Sequence, residues 1–502
     1  MLGKYHNVWA LMAAFLAFAA GVWLNRADMY AWQIGVSHDS VYYLDAAKNI
    51  LKGLGVANTV TGQTVPMTHY PPFYPLVLAA ISFVSGAEPL RAAYFLAMFL
   101  MGANAVLTGF VVYKYANHNT LAGITAAALF LLSHAIVVTH YMAWSEPLFL
   151  FLMLWGIILL DKYLTTGNLH ALFWTGSFFA LAVFTRYAGL ILVPFAGLAI
   201  LLFRRQPLLQ HARHILLVTL PPLIIVGGWM LRNKLLSGTG TNRNIGFLGF
   251  GDARVHELKT TIRNWFFSDG SVNAGFNRTM LVLLVAIVLL IVMYRKDLKH
   301  YFWQNRSKLA ELMLMFGLLY AGFLIVSVTF VDASTPLDDR MLVPLFVALL
   351  CIFPGALFRA ATHLPGKPVV KKVFQFTLIL ILIWFGLNRY NYTQYFHNET
   401  QAHGNGFTSK EMRETEVAKA VRELPYDAQL YAPGFEYVYI YYLTGKPVKP
   451  LTDLEKYSDI SDNSYVAYLS PCCPNGETPV LPEPYQAGPA KVSQYLYPIN
   501  KD

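Results

Sequence analysis

Val8-Trp9-Ala10-Leu11-Met12-Ala13-Ala14-Phe15-Leu16-Ala17-Phe18-Ala19-Ala20-Gly21-Val22-Trp23-Leu24 carries no charge from end to end. An apolar run of this length matches the hydrocarbon core of a bilayer, and in lipid it must be helical, because only a helix satisfies its own backbone. No small-residue cleavage site follows, and Trp23 is a poor candidate for one, so the run reads as a retained span rather than a secretory signal. Comparable runs recur at roughly 91–113, 119–138, 147–164, 169–185, 188–203, 214–231, 279–294, 309–330, 341–358 and 373–389. The expectation is about eleven transmembrane helices.

Composition agrees. Hydrophobic residues make up 56% of the 502 positions and charged ones 13%, against roughly 45–50% and ~25% in soluble domains. So few charges could not cover a soluble particle of this size, and 15% aromatic residues exclude a disordered chain. Three cysteines, two of them the adjacent Cys472 and Cys473, make no disulfide framework. The formal charge of +10 reflects topology: Arg204, Arg205 and Arg213 share one short loop, Arg295, Lys296, Lys299, Arg306 and Lys308 a second, and Arg359, Lys367, Lys371 and Lys372 a third. With Lys4 inside and eleven crossings, all three loops fall on the cytoplasmic side, as the positive-inside rule requires.

The fold class expected is therefore an α-helical polytopic membrane protein with a cytoplasmic N-terminus and a small extracytoplasmic α/β domain at the C-terminus. A transmembrane domain would cover 1–390, with a first outer loop at 25–90 whose stretch 73–84 is too short to span and reads as interfacial. The tail, 391–502, is more polar. Ser409–Leu424 has helical spacing, Gln429–Ala432 and Ser464–Leu469 read as strands, and Tyr437–Leu443 as a helix between them.

Polar groups that could do chemistry gather on the outer side, where each ionisable group near lipid needs a reason. The first outer loop holds Val36-Ser37-His38-Asp39-Ser40-Val41-Tyr42-Tyr43, and Asp39 can be read as a helix cap or as a carboxylate poised to take a proton. Glu146 lies in a short outer turn just before an apolar run, where the helix dipole alone would favour it. Arg186 and Arg232 end spans and Arg340 begins one. Each could simply snorkel, and Arg340 could pair with its neighbours Asp338 and Asp339. Together they would suit a phosphate at the interface, which planar bidentate donors hold well. His69-Tyr70-Pro71-Pro72 adds donors at an aromatic bend. No Walker-type loop, Cys-x-x-Cys pair or His-Glu-x-x-His motif is present, and the near absence of charge within the spans argues against a pump or channel.

The order of short motifs is distinctive: Asp39, Tyr42-Tyr43-Leu44-Asp45-Ala46-Ala47, Tyr70-Pro71-Pro72, Ser145-Glu146-Pro147-Leu148-Phe149, Thr185-Arg186-Tyr187, Arg232-Asn233 and Asp339-Arg340-Met341-Leu342-Val343-Pro344. This resembles the GT-C superfamily of polytopic glycosyltransferases, in the group that includes protein mannosyltransferases and the aminoarabinose transferase of lipid A. Tyr441-Tyr442-Leu443-Thr444-Gly445-Lys446-Pro447 in the tail is similar to the outer domain of that group. The resemblance implies an inverting transfer of a sugar from a polyprenyl-phosphate donor to a lipid, glycan or protein acceptor, with Asp39 as general base and Glu146 orienting a substrate. Arg340 first and Arg232 second would stabilise the leaving phosphate, with Arg186, His38, His69 and Tyr70 as further binding groups. Many members carry two acids in the first loop; here Asp39 is single, between His38 and Ser40, a thin site for a hard cation, so metal-independent transfer is favoured, divalent metal dependence stays open and no cofactor is assigned. The resemblance leaves open a ligase or polymerase of lipid-linked glycans, with cations in loop 232–278, or a flippase. The implied setting is an inner membrane of bacterial type with the active face outside.

Overall fold

The computed structural model describes residues 2–29, 33–266 except 242 and 244, 281, 307–332, 335–363, 368–456 except 426, 463–470, and 478–501 except 483 and 492–494. Helices stand at every described position where a span was expected. Leu2–Met29, Pro89–Tyr115, Glu146–Thr166, Leu208–Ser237, Lys308–Phe330 and Asp339–His363 are each long and apolar enough to cross a bilayer. The chain is an integral, multi-pass membrane protein. The segment expected at 119–138 is not one straight rod: Thr120–Leu132 and His134–His140 meet at Ser133 with a bend of 62°. There the Ser133 hydroxyl turns back to donate to Leu129 O, a side-chain bond that competes with the helical ladder. Leu169–Thr185 and Tyr187–Phe203 are shorter apolar helices. The span expected at 279–294 and the cysteines 472 and 473 lie outside the described residues.

Pro89–Tyr115 is the hub, touching Leu2–Met29, Thr120–Leu132, Glu146–Thr166 and Asp339–His363. Small residues permit this: a Cβ on Gly21 would lie 2.7 Å from the Gly102 Cα, so the first two long helices meet backbone to backbone, as small residues allow in lipid. On its other side Leu2–Met29 leaves Trp9, Leu11, Phe15, Leu16 and Trp23 uncovered, the surface that lipid covers.

On one side of the bundle lie His38–Leu51, the hairpin β1 (Ala57–Asn58) and β2 (Val65–Pro66), and the interfacial-length helix Phe73–Ser85. The C-terminal region forms an α/β unit with strands β3 (Gln429–Ala432), β4 (Val448–Pro450), β5 (Ser464–Ala467), β6 (Tyr485–Ala487) and β7 (Leu496–Lys501) in the order β4-β3-β5-β7-β6. β4, β3 and β5 run parallel, while β7 pairs antiparallel with β5 and with β6. Glu436–Thr444 is the helical crossover between β3 and β4. The stretch expected as one helix at 409–424 is two, Lys410–Arg413 and Glu416–Glu423, because Thr415 restarts the chain as an extended N-cap.

Three distant pieces of chain are stitched together beside the site. Gly35 N donates to Tyr141 O and Ala143 N to Gly35 O, both at 2.8 Å, and Phe407 N donates to Val36 O at 2.8 Å. This sets the Ser37–Asp39 turn against the Trp144–Glu146 turn.

Candidate active site

Helix His38–Leu51 begins at Ser37, which has extended backbone and whose N–H donates to Ser40 Oγ at 3.1 Å. Trp144 Nε1 donates to Ser37 Oγ at 2.7 Å. Serines thus manage the helix start, and Asp39, in the first turn, is not spent as a cap. Its carboxylate faces a cavity of about 640 Å³. Tyr70 OH donates to Asp39 Oδ1 at 2.6 Å, the His38 Nδ1 stands 3.4 Å from the same oxygen, and Arg340 Nη2 donates to Oδ2. Burial alone would push the Asp39 carboxyl up, but the Arg340 guanidinium, with the bonds from His38 and Tyr70, outweighs it and holds the carboxyl well below the usual carboxylate range. Burial and the Asp39 charge push the Tyr70 phenol up, so it stays a donor.

Glu146 opens helix Glu146–Thr166 and is 1% exposed. Its Oε1 receives both Arg340 Nε and Arg186 Nη1. Arg186 also donates from Nη1 to Ser145 Oγ at 3.2 Å, and Arg340 lies over the Trp144 ring, 4.6 Å from its centroid. Asp39, Arg340, Glu146 and Arg186 therefore form one alternating chain of four charges drawn from four regions of the sequence. Arg340 does not make the local pair its neighbours offered: Asp338 Oδ1 accepts from Met341 N at 3.1 Å, and Asp339 Oδ1 accepts from Trp265 Nε1 at 2.9 Å. Buried charges are tolerable only when paired, and the alternation meets that condition with formal charges that cancel.

Asp39, Arg340, Arg186, His38, His69 and Tyr70, all expected at the site, line the cavity, and Glu146 supports it from behind. Burial, then the Arg243 charge, pull the His69 imidazole down, toward its neutral form. Arg232 is the departure. It donates to Met67 O and Val56 O at 3.0 Å each, stacks 4.5 Å over the Trp229 ring, and is not part of the cavity wall. Carbonyls of the β1–β2 region claim its guanidinium, a partner no sequence spacing reveals. Arg232 fastens the hairpin.

Two wall residues from the tail carry no signal in the sequence. Phe435 and Tyr437 reach the cavity from the C-terminal unit, and Tyr437 OH shares a hydrogen bond of 2.8 Å with Tyr42 OH. Arg243, whose Nε is 3.4 Å from Asp332, lines the far side with Tyr187. Phe323, Leu324 and Ser327 of the long apolar helix Lys308–Phe330 give that side a largely apolar lining. Arginine pairs with both acids, and among the described residues no three of His, Cys, Asp and Glu converge.

No family model and no curated protein matches the chain. Solved structures do. The Archaeoglobus fulgidus oligosaccharyltransferase tethered with an acceptor peptide aligns with a TM-score of 0.52 at 13% identity, over 88% of this chain and 63% of that one. AglB of the same organism, in complex with an inhibitory peptide and a dolichol-phosphate, gives 0.51 at 13% identity, over 88% and 64%. This chain thus spans less than two thirds of the archaeal protein. ArnT from Cupriavidus metallidurans bound to undecaprenyl phosphate gives 0.47 at 14% identity, over 88% and 85%. At such identities it is the fold that is shared: the chain is a polytopic membrane protein with the fold of these archaeal structures.

Proposed function

We propose that this chain is an inverting glycosyltransferase that moves a sugar from a polyprenyl-phosphate donor to an acceptor hydroxyl at the outer membrane–water interface. The observation that carries the reading is the Asp39–Arg340–Glu146–Arg186 chain in the wall of a cavity that is polar on one side and apolar toward a long membrane helix. A donor with a lipid tail and a charged head needs such a site. The fold is shared with a protein whose structure holds dolichol-phosphate, which supports the same class of donor.

The acceptor hydroxyl attacks the anomeric carbon from the face opposite the phosphate. Its proton passes to Asp39 as the C–O bond to phosphate breaks, and the bonding electrons leave with the phosphate oxygen. Paired with Arg340, Asp39 is a weak base. A phosphate drawing on the same guanidinium weakens that pair, so donor binding would restore basicity to Asp39 just where a proton must be taken. Arg340 then stabilises the charge that develops on the leaving group, and Glu146 with Arg186 keeps it aimed. The transmembrane domain, residues 1–390, would carry the reaction, and the C-terminal domain, residues 391–502, would lie on the same extracytoplasmic face. Arg243 at the far wall gives a ligase of lipid-linked glycans a cation from loop 232–278, and an acceptor itself carried on a lipid would distinguish that second reading.

The test is transfer from polyprenyl-phosphate sugars in membranes containing the chain, with mass spectrometry of glycans, lipids and proteins from cells lacking it. Loss of one hexose or pentose unit in those cells, restored by the wild type and not by Asp39→Asn, is the expected result. Full restoration by Asp39→Asn would remove the base assignment.

A further inference from the structure

The outer helix His38–Leu51 carries a second acid that the proposed reaction does not use. Asp45 is 4% exposed and outside the cavity wall. Among the described residues no cation lies within ion-pair distance of it. Its oxygens are filled instead by neutral donors from three regions of the chain: Thr59 N, Thr59 Oγ1 at 3.0 and 3.2 Å, Asn49 Nδ2 at 3.5 Å, and Tyr441 OH at 2.7 Å. Thr59 follows β1 in the first outer loop, while Tyr441 lies in the crossover helix Glu436–Thr444 of the C-terminal unit. A buried carboxylate without a counter-charge is costly unless its hydrogen bonds are all made, so this arrangement is worth most where it fixes one geometry.

What it fixes is the cavity wall. Tyr437 is one helical turn before Tyr441, on the same face, and it meets Tyr42, which is itself three residues before Asp45. Phe435, just ahead of that helix, packs on His38 with ring centroids 4.7 Å apart. A third tie, Val448 N to Val60 O at 3.0 Å, joins β4 to the same loop. We propose that Asp45 is a positioning residue, a latch that clamps the first outer loop to the C-terminal unit and so holds Phe435 and Tyr437 over Asp39. It determines how tightly the cavity holds its substrate, and it takes no part in the proton transfer.

The latch itself stands without the proposed reaction; only its kinetic consequence rests on that reading. Hydrogen exchange on the full-length chain in detergent tests the clamp directly. Tyr441→Phe, which removes one hydroxyl, and Asp45→Ala should each speed exchange in both 57–66 and 436–444, by about tenfold or more for local opening, while Pro89–Tyr115 keeps its protection. Unchanged exchange in both segments, or loosening of one alone, would overturn the clamp. With a polyprenyl-phosphate sugar as probe, Tyr441→Phe should raise KM several-fold with kcat within about twofold. A fall in kcat at constant KM would overturn the positioning role. If wild type transfers nothing while exchange loosens as described, the latch stands and the proposed function fails.

Discussion

Asp39 and Asp45 sit six residues apart on one helix and have opposite surroundings. Asp39 faces a cavity, pairs with Arg340 and keeps one flank open to whatever enters. Asp45 is closed in by neutral donors, with no cation among the described residues to meet it. Both are carboxylates on the wet side of the bundle, Asp39 partly buried and Asp45 fully so, and residue type does not separate chemistry from architecture. The separation comes from the partners. An arginine shared with a second acid is a charge that an incoming anion can redistribute, whereas a full set of hydroxyl and amide donors can only hold still. The comparison predicts that damage at the first site shows in turnover and damage at the second in affinity and local opening.

The largest effect expected is at Asp39. Asp39→Asn keeps the volume and loses the base, and transfer should fall by roughly 10²–10⁴, with membrane insertion kept and thermal unfolding lowered only by the loss of the Arg340 ion pair. Turnover of the variant within tenfold of wild type would put the proton acceptor elsewhere. Arg340→Ala comes next and should fail in two ways. It leaves Asp39 and Glu146 facing each other without their shared cation, and breaking a buried pair by removing one partner costs about 3–5 kcal/mol. Arg340→Lys should recover little, because one ammonium cannot meet Asp39 and Glu146 with the separate Nη2 and Nε donors that Arg340 uses. Thermal unfolding beside turnover separates the two losses; a stable, active Arg340→Lys would show that charge alone suffices.

Much of this was legible in the chain, and what was not has a physical reason. Apolar runs announce helices because lipid leaves the backbone no alternative, and a helix stands at each described run. Asp39, Glu146, Arg186 and Arg340 could be singled out because charge beside lipid is expensive. Which charge meets which could not: the Arg340–Asp39 pair bridges 301 positions, and the nearer acids Asp338 and Asp339 were the better guess on spacing alone. The placing of Arg232 was hidden for the same reason, since apart from the neighbouring Asn233 Oδ1 its partners are backbone carbonyls, which every residue carries. Tyr437 and Phe435 were invisible because they belong to another unit, and only the docking of that unit brings them into the wall.

Arg232 therefore offers a milder test of the contrast between holding and reacting. Arg232→Ala removes bonds to Met67 O and Val56 O and the stack on Trp229. Hydrogen bonds from a charged donor contribute about 1.5–3 kcal/mol, so stability should drop by that order while the folded fraction keeps its kcat. A kcat loss comparable with that of Arg340→Ala would return Arg232 to the phosphate.

The smallest expected effect is the most diagnostic, because it changes a pKa and little else. Tyr70→Phe takes one of the donors that hold the Asp39 carboxyl down. A carboxyl whose folded-state pKa is depressed is ionised throughout the neutral range and stabilises the fold above its unfolded pKa; that contribution is lost as pH falls through the folded value. Removing the Tyr70 donor moves the folded value upward, so the acid limb of both stability and transfer should shift to higher pH, with the plateau near pH 7 reduced only modestly. The shift should be smaller than that of Arg340→Ala, since one neutral hydroxyl is replaced where the other variant deletes a full charge. An acid limb that stays in place in Tyr70→Phe would mean that Asp39 is not the group titrating there, and the base would have to be sought among the other groups of the cavity wall.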